Sequence, residues 1–433
     1  MGIGVGLLGL GTVGAGVAAI LTSPEGRHPL VAKLDLRRVV VRDPARARPL
    51  AIDPAIVGTN AEAVIDDPAV EIVVEVIGGI EPARSLILRA IAAGKSVVTA
   101  NKAVIARHGE EIAAAAAARG VYVLIEAAVG GGIPVIEPLK QSLGGNRIQR
   151  VSGIINGTTN YILSRMAAEG AGYAAVLADA QQLGYAEADP AADVQGGDAA
   201  DKIAILAGLA YGGPVPRQAI PTEGIDRLEA CDVAYAAQLG YVVKLLAVAE
   251  RVASTAEGEQ LDVRVHPTLL PRQHPLAGVN GVNNAILVEG DPVGQVMFYG
   301  PGAGAGPTAS AVVADILNIA GIRQVGGAAG ALDPLLAASS WARCSLVDSR
   351  LTCHRNYVRF QTDDQPGVIG RLGTCFGEAG VSIQSIVQLE SQEGAAEIVV
   401  ITHEVLEERF QRALAALRAL PEVRAVAACL RTL

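Results

Sequence analysis

The N-terminal stretch constrains the fold more than any other part of the chain. Residues 3–8 form a short apolar run that is typical of a buried strand, and the turn Gly-Leu-Gly-Thr-Val-Gly follows at 9–14. An uncharged apolar stretch at 15–21 then predicts a helix. A glycine turn that joins a buried strand to a helix is the phosphate-binding element of dinucleotide-binding domains. The chain is therefore predicted to begin with such a domain.

The three glycines of this turn have different tasks in such a domain. Gly9 allows the tight turn, Gly11 lets the backbone approach a pyrophosphate, and Gly14 allows the helix to pack closely. Thr12 and Val13 lie in the turn just before the helix, whose N-terminus attracts the anion. We therefore predict that these five residues contact a cofactor.

The composition favours a small-molecule enzyme. The 433 residues are 51% hydrophobic, which suffices for several packed cores and suggests two to four domains. A net charge of -9 argues against nucleic acid as a partner, because phosphate binding needs a basic face. Five cysteines without CxxC spacing indicate neither a disulfide framework nor a zinc site, and so favour the cytoplasm. The glycines of the N-terminal stretch argue against a signal peptide or a membrane partner.

The residue after the second predicted strand normally selects the cofactor through the adenosine ribose. That strand covers residues 36–41, and Arg42 follows it, with Arg46 and Arg48 nearby. Arginines suit a 2′-phosphate, so NADP is favoured over NAD. Asp43 is adjacent and suits a ribose hydroxyl, which leaves NAD open. Three surface arginines without a ligand are the remaining alternative.

Three more apolar runs predict strands of the same sheet, at residues 72–77, 96–99 and 121–125. Lys102 follows one of them, at the carboxyl edge where ligands of open α/β sheets bind. The segment 126–134 holds three consecutive glycines before a proline and suggests a hinge. We therefore predict a Rossmann-type dinucleotide-binding domain over residues 1–134.

A mixed α+β region is predicted over residues 135–300, for substrate binding, catalysis and dimerisation. Its elements are a strand at 148–155, a helix at 161–169, a helix ending at 209, a helix at 231–250, a strand at 261–265 and short strands up to 299. Between the first two lies Asn-Gly-Thr-Thr-Asn at 156–160. A glycine followed by hydroxyls at a helix start is an ordinary cap and also a carboxylate site.

An acidic stretch at 184–202 stands out from a chain rich in Ala, Val and Gly. Its ionisable residues are Glu187, Asp189, Asp193, Asp198, Asp201 and Lys202. Alone, such a run is typical of a solvated loop. Asp198 and Lys202, however, are four apart and share a helix face, while Glu187 and Asp193 suit an ammonium group.

Hydride transfer to a carbonyl requires a proton for the developing alkoxide, and a positioned lysine can supply it. Lys202 is the candidate, with Asp198 to orient it. A second cation lowers a lysine pKa, and Lys102 would do so if it lies close. Asp189 and Asp201 remain candidates for solvated acids.

A glycine-dense turn at 300–307, which includes Gly302, precedes a predicted helix at 311–320. We expect the turn to close over a cofactor or substrate rather than to act as a linker. The helix would return to the first domain, which a segment near 300–325 would complete.

The C-terminal region follows a connector at 326–353 and forms a separate pattern over residues 354–433. Strands at 357–362, 381–387, 397–402 and 423–429 alternate with helices at 367–379 and 406–420, which gives βαββαβ. Asp-Gln-Pro-Gly-Val at 364–368 and Gly-Val-Ser-Ile at 380–383 resemble an ACT domain. The resemblance implies a regulatory amino-acid-binding module; a dimerisation module without a ligand is the alternative.

Longer motifs extend across the first two regions. They are the glycine turn at 9–14, Thr-Ala-Asn-Lys at 99–102, the segment at 126–134, Asn-Gly-Thr-Thr-Asn-Tyr at 156–161, the acidic stretch at 184–202 and the segment at 300–315. In these motifs the chain resembles the homoserine dehydrogenases. The resemblance implies reversible NADP- or NAD-linked interconversion of L-aspartate 4-semialdehyde and L-homoserine, and a homodimer or homotetramer. It also implies threonine as a candidate effector.

The resemblance also implies roles for individual residues. Lys202 would be the general acid/base with Asp198 as its partner, and Lys102 would lie between nicotinamide and substrate. Glu187 and Asp193 would hold the amino end of the substrate. The remaining residues implied are Gly157, Thr158 and Tyr185 for the substrate pocket, Gly302 for the cofactor, and Glu126, Val129, Gly131 and Ile133 for a monovalent cation, sodium.

Two other functions remain open from sequence. An aspartate-semialdehyde dehydrogenase shares the cofactor fold but needs a cysteine nucleophile in its catalytic half, and no cysteine precedes Cys231. An amino-acid-sensing protein with an inactive dehydrogenase fold is the other alternative. The presence of both lysines and all the acids argues against it.

Overall fold

A six-stranded parallel sheet forms the N-terminal part of the computed structural model, which describes residues 2–46, 50, 52–325, 332–392 and 394–433. The strand order is β3-β2-β1-β4-β5-β6, that of doubly wound dinucleotide-binding folds. The strands are β1 Ile3–Leu8, β2 Leu34–Val40, β3 Val57–Gly58, β4 Ile72–Glu75, β5 Ser96–Thr99 and β6 Val123–Leu124. β1 and β4 are buried along their whole length, as in a parallel sheet covered on both faces, and this burial includes Glu75 at the end of β4. The predicted fold class is confirmed.

Thirteen α-helices accompany the strands in the described part of the chain. They are α1 Thr12–Thr22, α2 Ala61–Ile65, α3 Ala83–Ala92, α4 Lys102–Arg119, α5 Ile136–Lys140, α6 Gly157–Glu169, α7 Tyr173–Gln182, α8 Ala191–Val194, α9 Gly197–Tyr211, α10 Ala230–Gln238, α11 Ala305–Val325, α12 Val368–Glu378 and α13 Glu407–Arg418.

The second sheet has eleven strands and spans both C-terminal regions. They are β7 Arg147–Ile154, β8 Tyr241–Thr255, β9 Gly258–Pro271, β10 Asn283–Asp291, β11 Gly294–Pro301, β12 Cys344–Leu346, β13 Cys353–Asp363, β14 Ile383–Gln392, β15 Ala395–Thr402, β16 Val405–Leu406 and β17 Val423–Thr432. The main order is β11-β10-β7-β8-β9-β17-β13-β15-β14, with β12 on β9 and β16 on β13. The βαββαβ pattern of the tail is present, but its sheet continues that of the central region.

Two features join the tail to the central region. β17 pairs in parallel with β9 at its C-terminal end, Arg431 with Thr268 and Thr432 with Leu269. Arg359 on β13 is fully buried, and its Nε lies 2.7 Å from Oδ1 of the equally buried Asp232 on α10. This buried ion pair connects β13 of the tail with α10 of the central region.

Helix α11 returns to the first sheet and packs on α1. A Cβ built on Gly16 would lie 2.7 Å from the carbonyl oxygen of Ala305, so only glycine permits this approach. By length and composition, α11 is also the one described helix that could cross a membrane. Val312, Ile316 and Ile319 are buried in the core beside the first sheet, as in a core helix.

One predicted element is wrong. The sequence predicts a helix over 231–250, but α10 ends at Gln238 and β8 begins at Tyr241. Gly240 lies between them with a φ of 87°, the left-handed conformation that favours glycine after a helix. Residues 243–249 of β8 are all buried, and a fully buried strand has no alternation to distinguish it from a helix. The predicted domain boundaries stay predictions.

Candidate active site

Asp198 lies between two lysines. It shares the first turns of α9 with Lys202, whose Nζ lies 2.6 Å from Asp198 Oδ2. Lys102 Nζ forms an ion pair with the other carboxylate oxygen. The side chains of Asp198 and Lys202 are only 5% and 10% exposed, whereas that of Lys102 is 40% exposed. The structure therefore brings together the three residues that the sequence predicted as catalytic.

The two sheets position these lysines. Lys102 is the first residue of α4, directly after β5, and the preceding Asn101 caps the helix by accepting a hydrogen bond from Val104 N. Lys202 Nζ donates to the carbonyl oxygen of Ile155, which follows β7, at 2.7 Å. The site thus lies where the carboxyl ends of a strand from each sheet meet, the usual position for ligands of such folds.

The shared carboxylate separates the pKa values of the lysines. Burial lowers the pKa of Lys202; Asp198 opposes this shift, and the Lys102 ammonium adds to it. Burial also lowers the pKa of Lys102, but Asp198 outweighs it and raises the pKa above the ordinary value. Burial raises the pKa of Asp198, yet the two ammonium groups hold it well below its usual range. Lys202 is therefore the lysine suited to exchange a proton.

Asn156 belongs to this cluster, although it was not among the site residues predicted from the sequence. Its Nδ2 lies 2.7 Å from Asp193 Oδ1 and 3.0 Å from Asp198 Oδ2. Its Oδ1 accepts a hydrogen bond from Thr159 N at 2.9 Å, which caps α6. One amide thus fixes the predicted ammonium-binding acid relative to the predicted catalytic acid. The start of the Asn-Gly-Thr-Thr-Asn motif was the only signal in the sequence.

The predicted substrate pocket is only partly assembled. Thr158 Oγ1 donates to the Tyr185 carbonyl oxygen at 2.7 Å and lies 3.3 Å from Asp193 Oδ2. A Cβ on Gly157 would lie 2.7 Å from the Val282 carbonyl oxygen, so the α6 start admits only glycine. Glu187 is exposed, and in the described part of the chain no contact joins its side chain to these residues.

Tyr185 is exposed beside this pocket. Its ring centroid lies 4.9 Å from that of Tyr161, in a tilted arrangement. The aromatic pair holds the loop that carries Tyr185 against α6.

The glycine turn has the form that a dinucleotide needs. Gly9 adopts a φ of 107°, and a Cβ on Gly14 would lie 2.1 Å from the Gly9 carbonyl oxygen. A Cβ on Gly11 meets no atom within 4 Å, so space remains above the turn for a phosphate group. Thr12 and Val13 begin α1; Thr12 is exposed and Val13 is half-buried.

The other predicted cofactor contacts lie at the edges of this region. Arg42 is exposed beyond the end of β2, and Arg48 lies outside the described residues. A Cβ on Gly302 would lie 2.0 Å from Asn284 Nδ2, and one on Gly131 would lie 2.4 Å from the Gly302 carbonyl oxygen. These close approaches join the loop after β11 to β10 and to the glycine-rich segment before α5.

Glu126 caps a helix. Its carboxylate accepts hydrogen bonds from the backbone N–H groups of Val135, Ile136 and Glu137 at 2.6, 2.9 and 2.7 Å. The Glu126 N–H donates to Asp315 Oδ2 at 2.8 Å, while the buried Asp315 Oδ1 has no hydrogen-bond partner within the described ranges. Burial, with the nearby Glu126 charge, raises the Asp315 pKa well above its usual range.

Three family models cover most of the chain. Residues 134–317 match the model described as homoserine dehydrogenase, residues 9–126 match its NAD binding domain, and residues 356–422 match the ACT domain. A homoserine dehydrogenase of Synechocystis sp. is 56% identical over 433 residues and covers 100% of both chains. The chain belongs to the homoserine dehydrogenase family. The homoserine dehydrogenase of Corynebacterium glutamicum is 44% identical over 431 residues, 99% of this chain and 95% of the relative.

Solved structures agree with this membership. The homoserine dehydrogenase of Thiobacillus denitrificans superposes with a TM-score of 0.89 at 41% identity, covering 100% of this chain and 98% of that one. A hyperthermophilic archaeal homoserine dehydrogenase in complex with NADPH has a TM-score of 0.61 at 26% identity, over 75% of this chain and 98% of that one. As a homoserine dehydrogenase, the chain is an NAD(P)-dependent oxidoreductase that acts on a CH–OH group, and its ACT domain is consistent with regulation by amino acids.

Proposed function

We propose that Lys202 is the general acid/base of the homoserine dehydrogenase reaction. The observation that carries this proposal is that one buried carboxylate, Asp198, binds both Lys202 and Lys102. In the reduction of L-aspartate 4-semialdehyde, bound NADPH supplies the hydride to the aldehyde carbon. The carbonyl π electrons pass to oxygen, and Lys202 donates a proton from Nζ to give the hydroxyl of L-homoserine.

Asp198 and the Ile155 carbonyl oxygen hold two of the Lys202 protons, which leaves the third for the substrate. Lys102 stays charged beside the same carboxylate and stabilises the negative charge that develops on the substrate oxygen. The reverse reaction uses the neutral Lys202 amine as the base, and the lowered pKa of Lys202 favours that neutral form. In the reduction, the Asp198 carboxylate favours the protonated form of Lys202.

The amino end of the substrate binds Asp193, in this proposal. Asn156 donates to that carboxylate and holds it beside Asp198. Gly157 and Tyr185 form the surrounding wall, and Glu187 supplies a second negative charge from the exposed loop. An ammonium group at one end and a carbonyl oxygen at the other match the two polar ends of aspartate semialdehyde.

The cofactor is NADP in preference to NAD. Support comes from the exposed position of Arg42 beyond β2, where a guanidinium can pair with a 2′-phosphate, and from the NADPH complex of the archaeal relative. Gly9, Gly11 and Gly14 would hold the pyrophosphate, with Gly302 on the returning loop.

A sodium ion fits the segment before α5. In the described part of the chain, no hydrogen bond reaches the carbonyl oxygens of Val129, Gly131 and Ile133, so all three are available as ligands. Glu126 already accepts three backbone hydrogen bonds of the roughly four that a carboxylate accommodates, and would add one contact. The bound ion would stiffen the segment that joins the two sheets.

We further propose a cytoplasmic homodimer or homotetramer that responds to threonine. All five cysteines are free, as in a reducing compartment. Support for assembly comes from β11, an edge strand of the large sheet on which Met297 and Tyr299 are 42% and 56% exposed.

Oxidation of NADPH and of NADH in the presence of aspartate semialdehyde tests the proposal. We expect a higher kcat/KM with NADPH, and homoserine as the product. A product other than homoserine would contradict the proposed reaction, and a preference for NADH would contradict the cofactor assignment alone.

A further inference from the structure

Glu75 is a fully buried carboxylate at the carboxyl edge of the first sheet, and the proposed mechanism does not use it. It is the last residue of β4 and lies in register with Thr99, the last residue of β5. Within the described residues, its carboxylate forms no ion pair. A carboxylate buried without a cation costs free energy, which its hydrogen bonds have to offset. The partners in those hydrogen bonds therefore indicate what Glu75 does.

Each carboxylate oxygen of Glu75 accepts a hydrogen bond from a different turn at this edge. Oε1 accepts from Ile77 N at 2.8 Å, in the turn after β4. Oε2 accepts from Thr99 Oγ1 at 2.6 Å. Because the Thr99 hydroxyl donates its one proton to Glu75, its lone pairs can accept from Asn101 N, which lies 3.0 Å away. Glu75 thus sets the direction of the hydrogen bonds in the segment that leads into α4.

Asn101 extends this network to Lys102. Its Nδ2 donates to the Gly79 carbonyl oxygen at 2.7 Å, in the same turn that Glu75 holds. Its Oδ1 accepts from Val104 N at 3.3 Å and so caps α4. Lys102 follows directly as the first residue of that helix. The backbone position from which the Lys102 side chain extends is therefore fixed by hydrogen bonds that begin at Glu75.

We propose that Glu75 is a positioning residue for the dehydrogenase reaction, which acts through Thr99 and Asn101 to hold Lys102 against Asp198. The side chain of Lys102 is 40% exposed, so packing alone does not fix its direction. Its ammonium group reaches Asp198 only from a correctly placed backbone. The inference rests on the proposed role of Lys102 beside the substrate oxygen.

Glu75→Gln tests the proposal, because it keeps the shape of the side chain and replaces one acceptor oxygen by an N–H donor. If the amide nitrogen faces Ile77 N, two donors oppose each other. If it faces Thr99, the hydroxyl loses the acceptor for its proton. Since either orientation disturbs the start of α4, we expect kcat for aspartate semialdehyde reduction to fall about tenfold.

Substitutions of Thr99 test the next step of the network. Thr99→Val has nearly the same shape but no hydroxyl, and should lower kcat about as much as Glu75→Gln does. Thr99→Ser keeps the hydroxyl and should recover most of the kcat that Thr99→Val loses. A kcat as low in Thr99→Ser as in Thr99→Val would overturn the proposal, because the hydroxyl would then not be the group that matters.

Combination with Lys102→Met distinguishes positioning from a general loss of structure. If Glu75 acts through Lys102, Glu75→Gln should have almost no further effect on kcat once Lys102 is replaced. A merely structural role would lower kcat by the same factor in both backgrounds. Glu71→Gln is the matched control, a carboxylate at the amino end of β4 that pairs with Arg323, and it should leave kcat unchanged.

The pH profile of Glu75→Gln gives a second readout. The Lys202 ammonium faces Asp198, Lys102 and Asp193. A Lys102 that has moved away repels this ammonium less, so the alkaline fall of the reduction rate should move to higher pH, as in Lys102→Met. A loss of kcat with an unshifted profile would contradict an effect through Lys102.

The same set of variants separates this inference from the proposed function. Equal losses from Glu75→Gln in the two backgrounds would overturn the inference alone, as would a kcat of Glu75→Gln within twofold of the unaltered enzyme. An unaltered kcat in Lys102→Met would contradict the proposed role of Lys102 and overturn the inference with it. Circular dichroism verifies the fold of each variant; if Glu75→Gln does not fold, the comparison of Thr99→Val with Thr99→Ser decides by the same criteria.

Discussion

Arg107 Nη1 lies 2.9 Å from Oδ2 of Asp201, and this contact ties the helix that begins with Lys102 to the helix that carries Lys202. The other oxygen of Asp201 lies 2.6 Å from Arg217 Nε. Asp201 is buried, with 6% of its surface exposed. The bridge therefore fixes the distance between the cofactor sheet and the catalytic helix. This distance must be held for Asp198 to contact both Lys102 and Lys202.

Loss of this bridge should impair catalysis more than folding. We predict that Arg107→Gln lowers kcat about tenfold, because small displacements of catalytic groups are costly. Arg84→Gln is the matched control, since Arg84 pairs with Glu111 on the outer side of the same helix α4 and does not reach α9. Steady-state kinetics of both variants check this prediction. Equal kcat values for Arg107→Gln and Arg84→Gln would show that the bridge does not position Lys102.

The pH profile of turnover should depend on Lys102. Reduction requires protonated Lys202, so its rate falls as pH rises through the Lys202 pKa, which burial and Lys102 hold below the ordinary lysine value. Replacement of Lys102 by Met removes the repulsion between the ammonium groups and raises the Lys202 pKa. The alkaline fall should then move to higher pH, as should the rise of homoserine oxidation. An unshifted profile would show that Lys102 does not influence the titrating group.

Arg42 should distinguish the two cofactors. We predict that Arg42→Ala raises the KM for NADPH about tenfold and leaves the KM for NADH nearly unchanged, because only NADPH carries the 2′-phosphate. Arg37→Ala is the control, a partly exposed arginine on β2 that pairs with Asp35. Equal changes in the two KM values would refute a phosphate contact.

The buried Arg359–Asp232 pair should stabilise the attachment of the ACT domain. We predict that Arg359→Met lowers the free energy of unfolding by about 3 kcal/mol, because Asp232 remains buried without its partner. Arg371→Met, which breaks the partly exposed pair with Glu422, should cost about 1 kcal/mol or less. Urea unfolding followed by circular dichroism measures both. Equal losses would indicate that the buried pair contributes no more than the exposed one.

Local patterns predicted much of the fold. The strand, glycine turn and helix at the start of the chain need only neighbouring residues, and the structure has them at Ile3–Leu8 and Thr12–Thr22. The buried strand β8 was mistaken for a helix because a continuous apolar run carries no period. The pairing of β9 with β17 joins residues far apart in sequence, which no local pattern can show.

The acidic stretch at 184–202 also combines contacts that local spacing predicts with contacts that it cannot predict. The spacing of Asp198 and Lys202 on one helix face was visible in the sequence, and the structure joins them. Asp201 was expected to be solvated, but Arg107 and Arg217 come from distant segments to bury it. Asp189 instead accepts a hydrogen bond from Ala191 N in a local turn, as a solvated loop acid does.

The sheet that the ACT domain shares with the central region also affects how the role of the tail can be tested. If the tail were a separate regulatory module, truncation after Arg350 would keep catalysis while abolishing inhibition by threonine. The structure places Tyr357 and Leu430 of the ACT domain in the hydrophobic core of the catalytic region. Single substitutions in the full chain therefore separate regulation from stability more cleanly than truncation.

Turnover of Lys202→Met with NADPH and aspartate semialdehyde, measured beside NADPH affinity by fluorescence titration, tests the central claim most directly. The account predicts a loss of turnover of at least about a hundredfold, with NADPH affinity nearly unchanged, because the general acid is removed and the glycine turn is not. Turnover within a few fold of the unaltered enzyme would contradict the assignment of Lys202 as the general acid/base.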